Sequence, residues 1–316
     1  VVAGTAILMT LSLAGCGIGS DSVKLGAAGV GGGYYAFSNA FAQIASSEDE
    51  DLDFEVKATA GSTANIRLLS DGYVDMAIAQ ADLVDAAYNG TGATDKKRYR
   101  GYSAVASLYT EACQIVVRAD SGIDSLDDLQ GKKISVGEEE SGTQRNAEQI
   151  LKMTGLVESL VDTVNLDYVD AANELKSGQI DAFFCTAGIQ TSVIEELSKE
   201  CDVKLIGIDD KCRDRLKSVY GFYTDYTIPA GTYEGQDQDV ETLGVRAVLL
   251  ARDDMDEEIV EELTGLLFEH AQDIQYSIAL TFQIDESEAV KNVTIPFHDG
   301  AKAYYQKKRI ELPAEQ

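Results

Sequence analysis

Residues 23–46 read VKLGAAGVGGGYYAFSNAFAQIAS, which is a short apolar run, a glycine-rich turn and an amphipathic stretch. Short apolar runs bounded by glycine are typical of buried strands, and apolar residues at intervals of three and four predict a helix. The same order of strand, turn and helix recurs at residues 54–72, 74–90 and 133–155. Repeated βα units of this kind predict an α/β fold with parallel strands.

The order of elements begins again after residue 112, which predicts a second lobe. Residues 69–75 and 175–181, which are 106 positions apart, each read leucine, two polar residues, glycine, a variable residue, an apolar residue and aspartate. Both copies are followed by an apolar run that is typical of a buried strand. We therefore expect two lobes of similar architecture that arose by duplication.

The last third of the chain is expected to return to the first lobe, since its apolar strand TLGVRAVLLAR is followed by one amphipathic helix. Lobe one would then comprise residues 23–112 and 245–316, and lobe two residues 113–244. The chain would cross between the lobes in two strands, near residues 111–118 and 240–250, which would form a hinge. The predicted fold is thus α/β, with two lobes of mixed, mostly parallel sheet flanked by helices.

The composition limits the classes of partner. The chain has 316 residues, of which 26 are basic and 54 acidic, and a formal net charge of −28. This charge would repel a phosphate backbone, so we expect no nucleic acid as a partner. It would also repel an anionic solute at long range. Any anion site must therefore depend on local backbone amides, to which one or two buried arginines could add.

The amino-terminal residues 1–15 read VVAGTAILMTLSLAG, an apolar run that is too short to span a bilayer and ends in small residues. The tetrapeptide LAGC that ends at Cys16 resembles a bacterial lipobox, whose cysteine is acylated after cleavage. We expect a signal peptide that begins upstream of Val1, a lipid anchor on Cys16 and a tether at residues 16–22. The protein would then be extracytoplasmic and anchored to a membrane. A short buried helix with an incidental cysteine is the alternative.

The chain offers little for a metal site. Beyond Cys16 its cysteines are Cys113, Cys185, Cys201 and Cys212. They contain no CxxC pair, and the two histidines, His270 and His298, lie far from them in sequence, so we expect no metal and no cofactor. Cys113 and Cys185 lie in apolar runs and are expected to be buried. A disulfide between Cys201 and Cys212 remains open.

Three glycine-rich or hydroxyl-rich turns stand between a predicted strand and a predicted helix, at residues 29–33, 61–63 and 141–143. The first amides of a helix have no intrahelical acceptor and lie at the positive end of the helix dipole, so they bind carboxylate or phosphate groups. In open parallel sheets, ligands gather at the carboxyl ends of the strands, where these turns fall. Each turn alone could be an ordinary capped turn, but three of them in two lobes favour an anion site.

Two arginines could add a cation to this site. Arg145 follows the third turn and Arg67 lies on the helix after the second, although both could instead be solvated helix residues. A dinucleotide site is not favoured, because GVGGGYY lacks the GxGxxG register and no GxxxxGK[ST] occurs. Neither histidine has a GxSxG, HExxH or similar motif nearby, so we expect a binding protein and not an enzyme.

Five segments together resemble the TAXI family of solute-binding proteins, which serve tripartite ATP-independent periplasmic (TRAP) transporters. The resemblance extends from about residue 23 to about residue 306. The segments are GVGGGYYAFSNAFA, ATAGSTANIRLLSDGYVDMAIAQAD, LYTEACQIVVRADSGIDSLDDLQGKKISVGEEESGT, DAFFCTAG and IPAGTYEGQDQDVETLGVRAVLLAR. The resemblance implies a type II periplasmic-binding fold that captures a solute and delivers it to a fused membrane permease. The family includes binders of glutamate and of 2-oxoglutarate.

The resemblance also implies which residues face the solute. Together with Arg145, they are Gly32, Gly33, Tyr34, Ser62, Thr63, Gln80, Ser141, Gly142 and Thr143. The chain departs from the family where many members read GAPGSGT, because it has GEEESGT at residues 137–143. These glutamates disfavour a dicarboxylate, and an amino acid would tolerate them better. The alternatives are a binding protein of an ATP-driven importer and a cell-surface sensor of the same fold.

Overall fold

The computed structural model describes residues 22–92, 96–157, 159–278 and 284–313. Its described strands form one sheet in which parallel and antiparallel pairs mix. The strands are β1 (Val23–Gly26), β2 (Phe54–Lys57), β3 (Met76–Gln80), β4 (Tyr102–Arg118), β5 (Lys133–Ser135), β6 (Asp162–Val164), β7 (Ala182–Ala187), β8 (Val203–Leu205), β9 (Thr224–Ile228) and β10 (Val240–Arg252).

Helices cover the sheet and connect the strands. They are α1 (Gly33–Glu48), α2 (Ser62–Ser70), α3 (Ala81–Asn89), α4 (Gly142–Thr154), α5 (Tyr168–Ser177), α6 (Ser192–Glu200), α7 (Asp210–Tyr220), α8 (Glu257–Glu269), α9 (Ala271–Ile278) and α10 (Asp299–Lys308). A 3-10 turn at Leu126–Leu129 begins after Ser125, which forms a capping box with Asp128. The predicted α/β class is confirmed, with a mixed sheet flanked by helices.

The two long strands β4 and β10 occupy the centre of the sheet, whose order is β2-β1-β3-β10-β4-β7-β5-β6. They pair antiparallel with each other, and Gly244 lies opposite Ala112 in their register. Parallel pairs lie toward the two ends of the sheet, where β1 pairs with β2 and β3, and β5 pairs with β6 and β7. The antiparallel pairs all involve β4 or β10.

The buried apolar residues form separate cores on either side of this centre. One core takes its buried residues from residues 25–109 and 247–305. Two other large clusters take theirs from residues 113–245. Val245, which the predicted boundary at 244/245 assigns to lobe one, packs in one of these two clusters. We use lobe one for residues 23–112 and 245–316, and lobe two for residues 113–244, as predicted from the sequence. The two long strands then connect the lobes.

The two lobes repeat the same local structure. Asp75 accepts a hydrogen bond from the amide of Lys24 at 2.9 Å, and Asp181 accepts one from the amide of Lys133 at 2.9 Å. In both lobes the aspartate therefore ties the strand that follows it to the first strand of its lobe. Gly72 and Gly178, which precede these aspartates, both have φ 75°. This matched geometry supports the duplication that the 106-residue spacing predicts.

Several details differ from the sequence prediction. The strand predicted from residue 113 begins at Tyr102, because the run before it is also apolar and buried. The single helix predicted after β10 is interrupted at His270, whose φ of −107° and ψ of 18° leave the helical region. The four cysteines beyond Cys16 are free thiols, and three of them, Cys113, Cys185 and Cys212, are buried. The disulfide between Cys201 and Cys212, which the sequence left undecided, is therefore not formed.

The amino-terminal predictions concern residues outside the part of the chain that the structure describes. Cys16, the expected signal peptide and the tether before Ser22 lie outside the described residues. Within the described part of the chain, every helix is too short or too polar to cross a membrane. The same part holds no group of three histidine, cysteine or carboxylate side chains that could bind a metal.

Candidate ligand-binding cleft

A cleft lies between the lobes where the amino-terminal ends of four helices meet. Helices α1 and α2 approach it from lobe one, and α4 and α5 approach it from lobe two. Eight of the ten predicted ligand residues line it, namely Gly32, Gly33, Tyr34, Ser62, Gln80, Ser141, Gly142 and Thr143. The structure therefore brings together residues that are up to 111 positions apart in the chain, from Gly32 to Thr143.

Helix α1 forms the lobe-one wall of the cleft. Gly32 is its N-cap residue, with φ −93° and ψ 162°, and its first amides are those of Gly33 and Tyr34. These amides precede the first intrahelical bond, which Ala36 donates to the Gly32 carbonyl at 3.3 Å. A side chain at Gly32 would meet the Tyr168 ring of lobe two at 3.1 Å. The glycine thus lets the backbone approach both the opposite wall and a ligand.

Helix α4 forms the opposite wall. Ser141 caps it by accepting a hydrogen bond from the amide of Gln144 at 2.9 Å, and the amides of Gly142 and Thr143 precede the first helical turn. The Thr143 hydroxyl accepts from the amide of Thr186 at 3.2 Å and lies 2.6 Å from the Tyr168 hydroxyl. Tyr168 in turn donates to the Thr186 carbonyl at 3.1 Å. Because the Thr143 hydroxyl already has protein partners, Thr143 offers a ligand its backbone amide.

Helix α2 differs from the other two, because lobe two already occupies its amino terminus. Gly61 caps α2 with φ 119°, a conformation that favours glycine. The amides of Thr63 and Ala64 then donate to the Glu140 carbonyl at 3.1 and 3.2 Å. Thr63 lines a second groove outside the cleft. The expectation that Thr63 faces the solute is therefore corrected, since its amide is used in a contact between the lobes.

The two candidate cations also lie outside the cleft. Arg145 lines the second groove, where its Nη1 is 3.9 Å from Glu148. Arg67 pairs with Glu140 through two bonds, Nε to Oε1 at 3.1 Å and Nη2 to Oε2 at 2.7 Å. The prediction that Arg145 faces the solute is thus wrong about where Arg145 lies. The helical turn after Thr143 directs the Arg145 side chain to the other side of α4. Lysine and arginine are absent from the described residues that line the cleft.

Glu140 joins the lobes through both its backbone and its side chain. It has φ 65°, in the left-handed region that costs a residue with a Cβ roughly 1 kcal/mol or more. Its carboxylate makes the bidentate pair with Arg67 of lobe one, and both side chains are partly exposed, 42% and 37% respectively. Partly exposed pairs contribute up to about 1 kcal/mol. The pair therefore offsets the backbone strain only when the lobes are together.

We expect Glu140→Gly to open the ligand-free protein without lowering its unfolding free energy by more than about 1 kcal/mol, since glycine removes the strain together with the ion pair. The measurements are the radius of gyration by X-ray scattering and the stability by urea titration. Lys199→Ala, which breaks an exposed pair with Glu195 within α6, is the matched control and should change neither. An unchanged radius in Glu140→Gly would contradict a role for the pair in closure.

The floor of the cleft is a buried polar network. Tyr34 donates to Glu111 Oε2 at 2.6 Å, and Glu111 is only 2% exposed on β4. Burial raises the pKa of Glu111 to about 8, and the hydrogen bond from Tyr34 partly opposes this rise. Gln80 of lobe one donates from Nε2 to Asn146 Oδ1 of lobe two at 3.0 Å. This second bond joins the lobes beneath the ligand walls.

Acidic side chains also line the mouth of the cleft. Glu138 is half-buried, and its carboxylate lies 3.9 Å from the position of a Cβ built on Gly29 across the cleft. Burial raises the pKa of Glu138, and the charge of Asp167 adds to the effect. Asp167 caps α5 by accepting from the amide of Asp170 at 2.8 Å. With Glu111, three carboxyl groups therefore line the cleft.

Sequence reasoning missed four polar residues of the cleft, namely Glu111, Asp167, Tyr168 and Thr186. The 106-residue repeat could have identified two of them, because it aligns Gly61 and Ser62 of lobe one with Asp167 and Tyr168 of lobe two. The amino terminus of α5 thus repeats that of α2. Glu111 also had a signal, since it is an acid within the apolar run of β4. A buried acid in such a strand indicates a special environment.

A family model described as the NMT1-like family matches residues 25–308. The chain belongs to the NMT1-like family. Among solved structures, a protein of Bordetella bronchiseptica RB50 shares 16% identity over 91% of this chain and 98% of that chain, with a TM-score of 0.59. PhnD1 of Prochlorococcus marinus (MIT 9301), solved in complex with methylphosphonate, shares 13% identity over 92% and 99%, with a TM-score of 0.57.

At these identities the two likenesses establish the fold alone. They show that this member of the NMT1-like family shares its two-lobed α/β fold with both proteins. Nearly the whole length of each matched chain is covered, so the likeness includes both lobes. The family match likewise begins near β1 and ends within α10. The cleft therefore lies between the two lobes of a fold that this chain shares with both proteins.

Proposed function

We propose that this NMT1-like protein is an extracytoplasmic solute-binding protein that captures a small carboxylate-bearing solute by lobe closure and performs no covalent chemistry. One observation carries the proposal. The amino terminus of α1 in lobe one and that of α4 in lobe two meet across one cleft, and each begins at a glycine where the first amides have no intrahelical acceptor. Such amides bind carboxylates without a cationic side chain.

Closure follows from the position of these amides. A carboxylate held by the amides of Gly142 and Thr143 would leave the rest of the solute against the wall of Gly33 and Tyr34. A ligand shifts an equilibrium only by its differential affinity for the two states. Contacts from both lobes exist only when the lobes are together, so the binding energy would favour the closed state.

The resemblance to the TAXI family supports glutamate and 2-oxoglutarate as first candidates for the solute. The carboxyl groups that line the cleft favour the amino acid of the two, since its ammonium group can accompany its negative charge. The same resemblance supports a fused TRAP permease as the partner in the membrane. A fold of this kind also serves ATP-driven importers and sensors, which remain the alternatives.

Thermal-shift screening against amino acids and small organic acids tests the solute-binding proposal. A solute at 100 times its dissociation constant should add about 2.7 kcal/mol to the unfolding free energy. X-ray scattering with the best compound should show a smaller radius of gyration than without it. If no compound stabilised the protein, or if the radius stayed the same at saturation, capture by closure would be wrong.

Transport assays distinguish the possible partners. We expect vesicles that contain the permease and this protein to take up the solute when an ion gradient is imposed. Uptake that required ATP and persisted without the gradient would instead support the importer. Turnover of any compound in the screen would support an enzyme on the same fold.

Lipidation of Cys16 is a separate part of the proposal. Labelled palmitate should enter the wild-type protein in its native host, whereas Cys16→Ala should yield an unlabelled form that leaves the detergent phase. Two acyl chains hold a protein on a membrane durably, at ~0.8 kcal/mol per buried methylene. Ser20→Ala, a change in the same tether, serves as the control and should be labelled normally. Absence of label in the wild type would end the lipoprotein proposal.

A further inference from the structure

The ionisable side chains with a formal charge that line the described cleft are all acidic. Glu111, Glu138 and Asp167 line it, and the described residues that line it include no lysine or arginine. The two candidate cations are engaged elsewhere, since Arg67 pairs with Glu140 and Arg145 lies in the second groove near Glu148. Helix amides can hold one carboxylate. A second carboxylate at the amides of α1 would face Glu138, whose carboxylate lies 3.9 Å from the position of a Cβ on Gly29 at that wall.

An unpartnered acceptor in the cleft gives an independent indication of the ligand. Gln80 is 2% exposed, and its Oε1 is buried without a hydrogen-bond donor in the described residues. Buried polar atoms in folded proteins almost always have a partner. The missing partner must be a donor, and a carboxylate has none to offer.

Neighbouring hydrogen bonds fix the orientation of the Gln80 amide. The Tyr223 hydroxyl donates to Gln149 Oε1 at 2.5 Å, so its oxygen is the acceptor for Asn146 Nδ2 at 2.8 Å. Asn146 Oδ1 must then accept, and Gln80 Nε2 donates to it at 3.0 Å. Gln80 Oε1 therefore remains on the other side of the amide. The network therefore leaves Gln80 Oε1 as an acceptor for the ligand.

We propose that the cleft selects solutes that carry a protonated amine and a single carboxylate, with Gln80 Oε1 as an acceptor for the amine and Glu138 as the residue that determines charge selectivity. The inference rests on the proposed solute-binding function and narrows it. An ammonium group offers three donors and no acceptor, which suits Gln80 Oε1. Its charge also compensates the half-buried carboxylate of Glu138 when the lobes close over it.

Two kinds of matched pairs test the proposal by titration calorimetry at pH 7. The first kind compares each amino acid with the 2-oxo acid of the same carbon skeleton, and the second compares glutamine with glutamate and asparagine with aspartate. Hydrogen bonds to charged groups correspond to affinity ratios of about 10- to 150-fold. We expect each amino acid to bind more tightly than its 2-oxo acid, and each amide to bind more tightly than its dicarboxylate, by affinity ratios in this range.

Glu138→Gln should reduce both ratios at least about tenfold, because it keeps the shape and removes the charge. Glu139→Gln is the matched control, since Glu139 lies next in sequence, is exposed and lines the second groove. It should leave both ratios unchanged, and melting curves of the two variants report whether each is folded. Gln80→Leu, which removes the acceptor with little change in size, should lower the affinity for the amine more than that for the 2-oxo acid.

The outcomes separate this inference from the function on which it rests. If 2-oxo acids or dicarboxylates bound the wild type as tightly as the amines, charge selection would be overturned while solute binding stood. If Glu138→Gln and Glu139→Gln changed the ratios equally, Glu138 would lose its assigned role. If no member of either kind of pair bound, the proposed function itself would fail.

Discussion

Gly142→Ala is expected to weaken solute binding by about 5- to 150-fold while both lobes remain folded. A Cβ at Gly142 would lie 2.5 to 2.7 Å from three side-chain atoms of Gln80. Gln80 belongs to lobe one and Gly142 to lobe two, so this clash exists only when the lobes are together. Overpacking of this kind costs about 1–3 kcal/mol, which corresponds to the stated range of affinities.

The clash should act on closure and not on folding. Alanine fits the first turn of α4, because Gly142 has no positive φ and α4 is capped by Ser141. Gly265→Ala adds the same methyl group to α8, where the nearest atom belongs to Tyr304 at 3.5 Å, and should bind the solute normally. Calorimetry measures the affinity and scattering the radius. Full affinity in Gly142→Ala would show that the contact between Gln80 and α4 is not needed.

A second variant identifies the atom responsible. Gln80→Ala removes the side chain that Gly142→Ala would strike, so the double variant should close again on adding solute. Its affinity should equal that of Gln80→Ala alone, since the added methyl group then meets empty space. A double variant that bound as weakly as the sum of the two single changes would place the obstruction elsewhere, because independent changes add.

The fold was predictable because its signals are local. Each strand, glycine turn and helix of residues 23–90 is encoded within about 20 residues, and the repeat at 106 positions gave the second lobe. The two walls of the cleft were also predictable, because a glycine turn between strand and helix fixes where free amides lie. Gly33 and Gly142 were found in this way, and both line the cleft.

The remaining features depend on contacts between the lobes, which no local pattern records. Thr63 sits in the same kind of turn as Thr143, yet its amide donates to Glu140 of the other lobe. Arg145 is two residues beyond Thr143, and two helical steps of about 100° each turn it away from the cleft. The role of Glu140 was likewise hidden, because its partner Arg67 is 73 positions away.

Glu111 is expected to make the folded protein less stable as the pH rises from about 4.5 to about 8. The ordinary pKa of a glutamate is 4.5, and burial raises that of Glu111 to about 8. Between these values the unfolded chain has lost the proton and the folded protein has kept it. Stability therefore falls with rising pH, at most by about 1.4 kcal/mol per pH unit. The contribution of Glu111 to the unfolding free energy is therefore fully present below pH 4.5 and is lost as the pH rises to about 8.

Comparison with two variants isolates this contribution. Glu111→Gln keeps an oxygen that can accept the Tyr34 hydrogen bond and cannot titrate, so its stability should decline less across the whole window. Asp82→Asn should flatten the decline only up to about pH 6, because burial raises the pKa of Asp82 to about 6. Urea titrations at half-unit steps of pH measure both profiles. Parallel wild-type and Glu111→Gln profiles would contradict a buried neutral carboxyl group.

The proton on Glu111 should also affect the affinity of the protein for its solute. Below about pH 8 the floor of the cleft is neutral, and above it Glu111 adds a negative charge beneath the carboxylate of the bound solute. We expect the wild-type affinity to fall between pH 7 and pH 9, since like charges in a site of low dielectric repel strongly. Glu111→Gln should keep its affinity over this interval, although the mouth carboxylates remain. A wild-type affinity that stayed constant to pH 9 would show that the solute's carboxylate does not lie near Glu111.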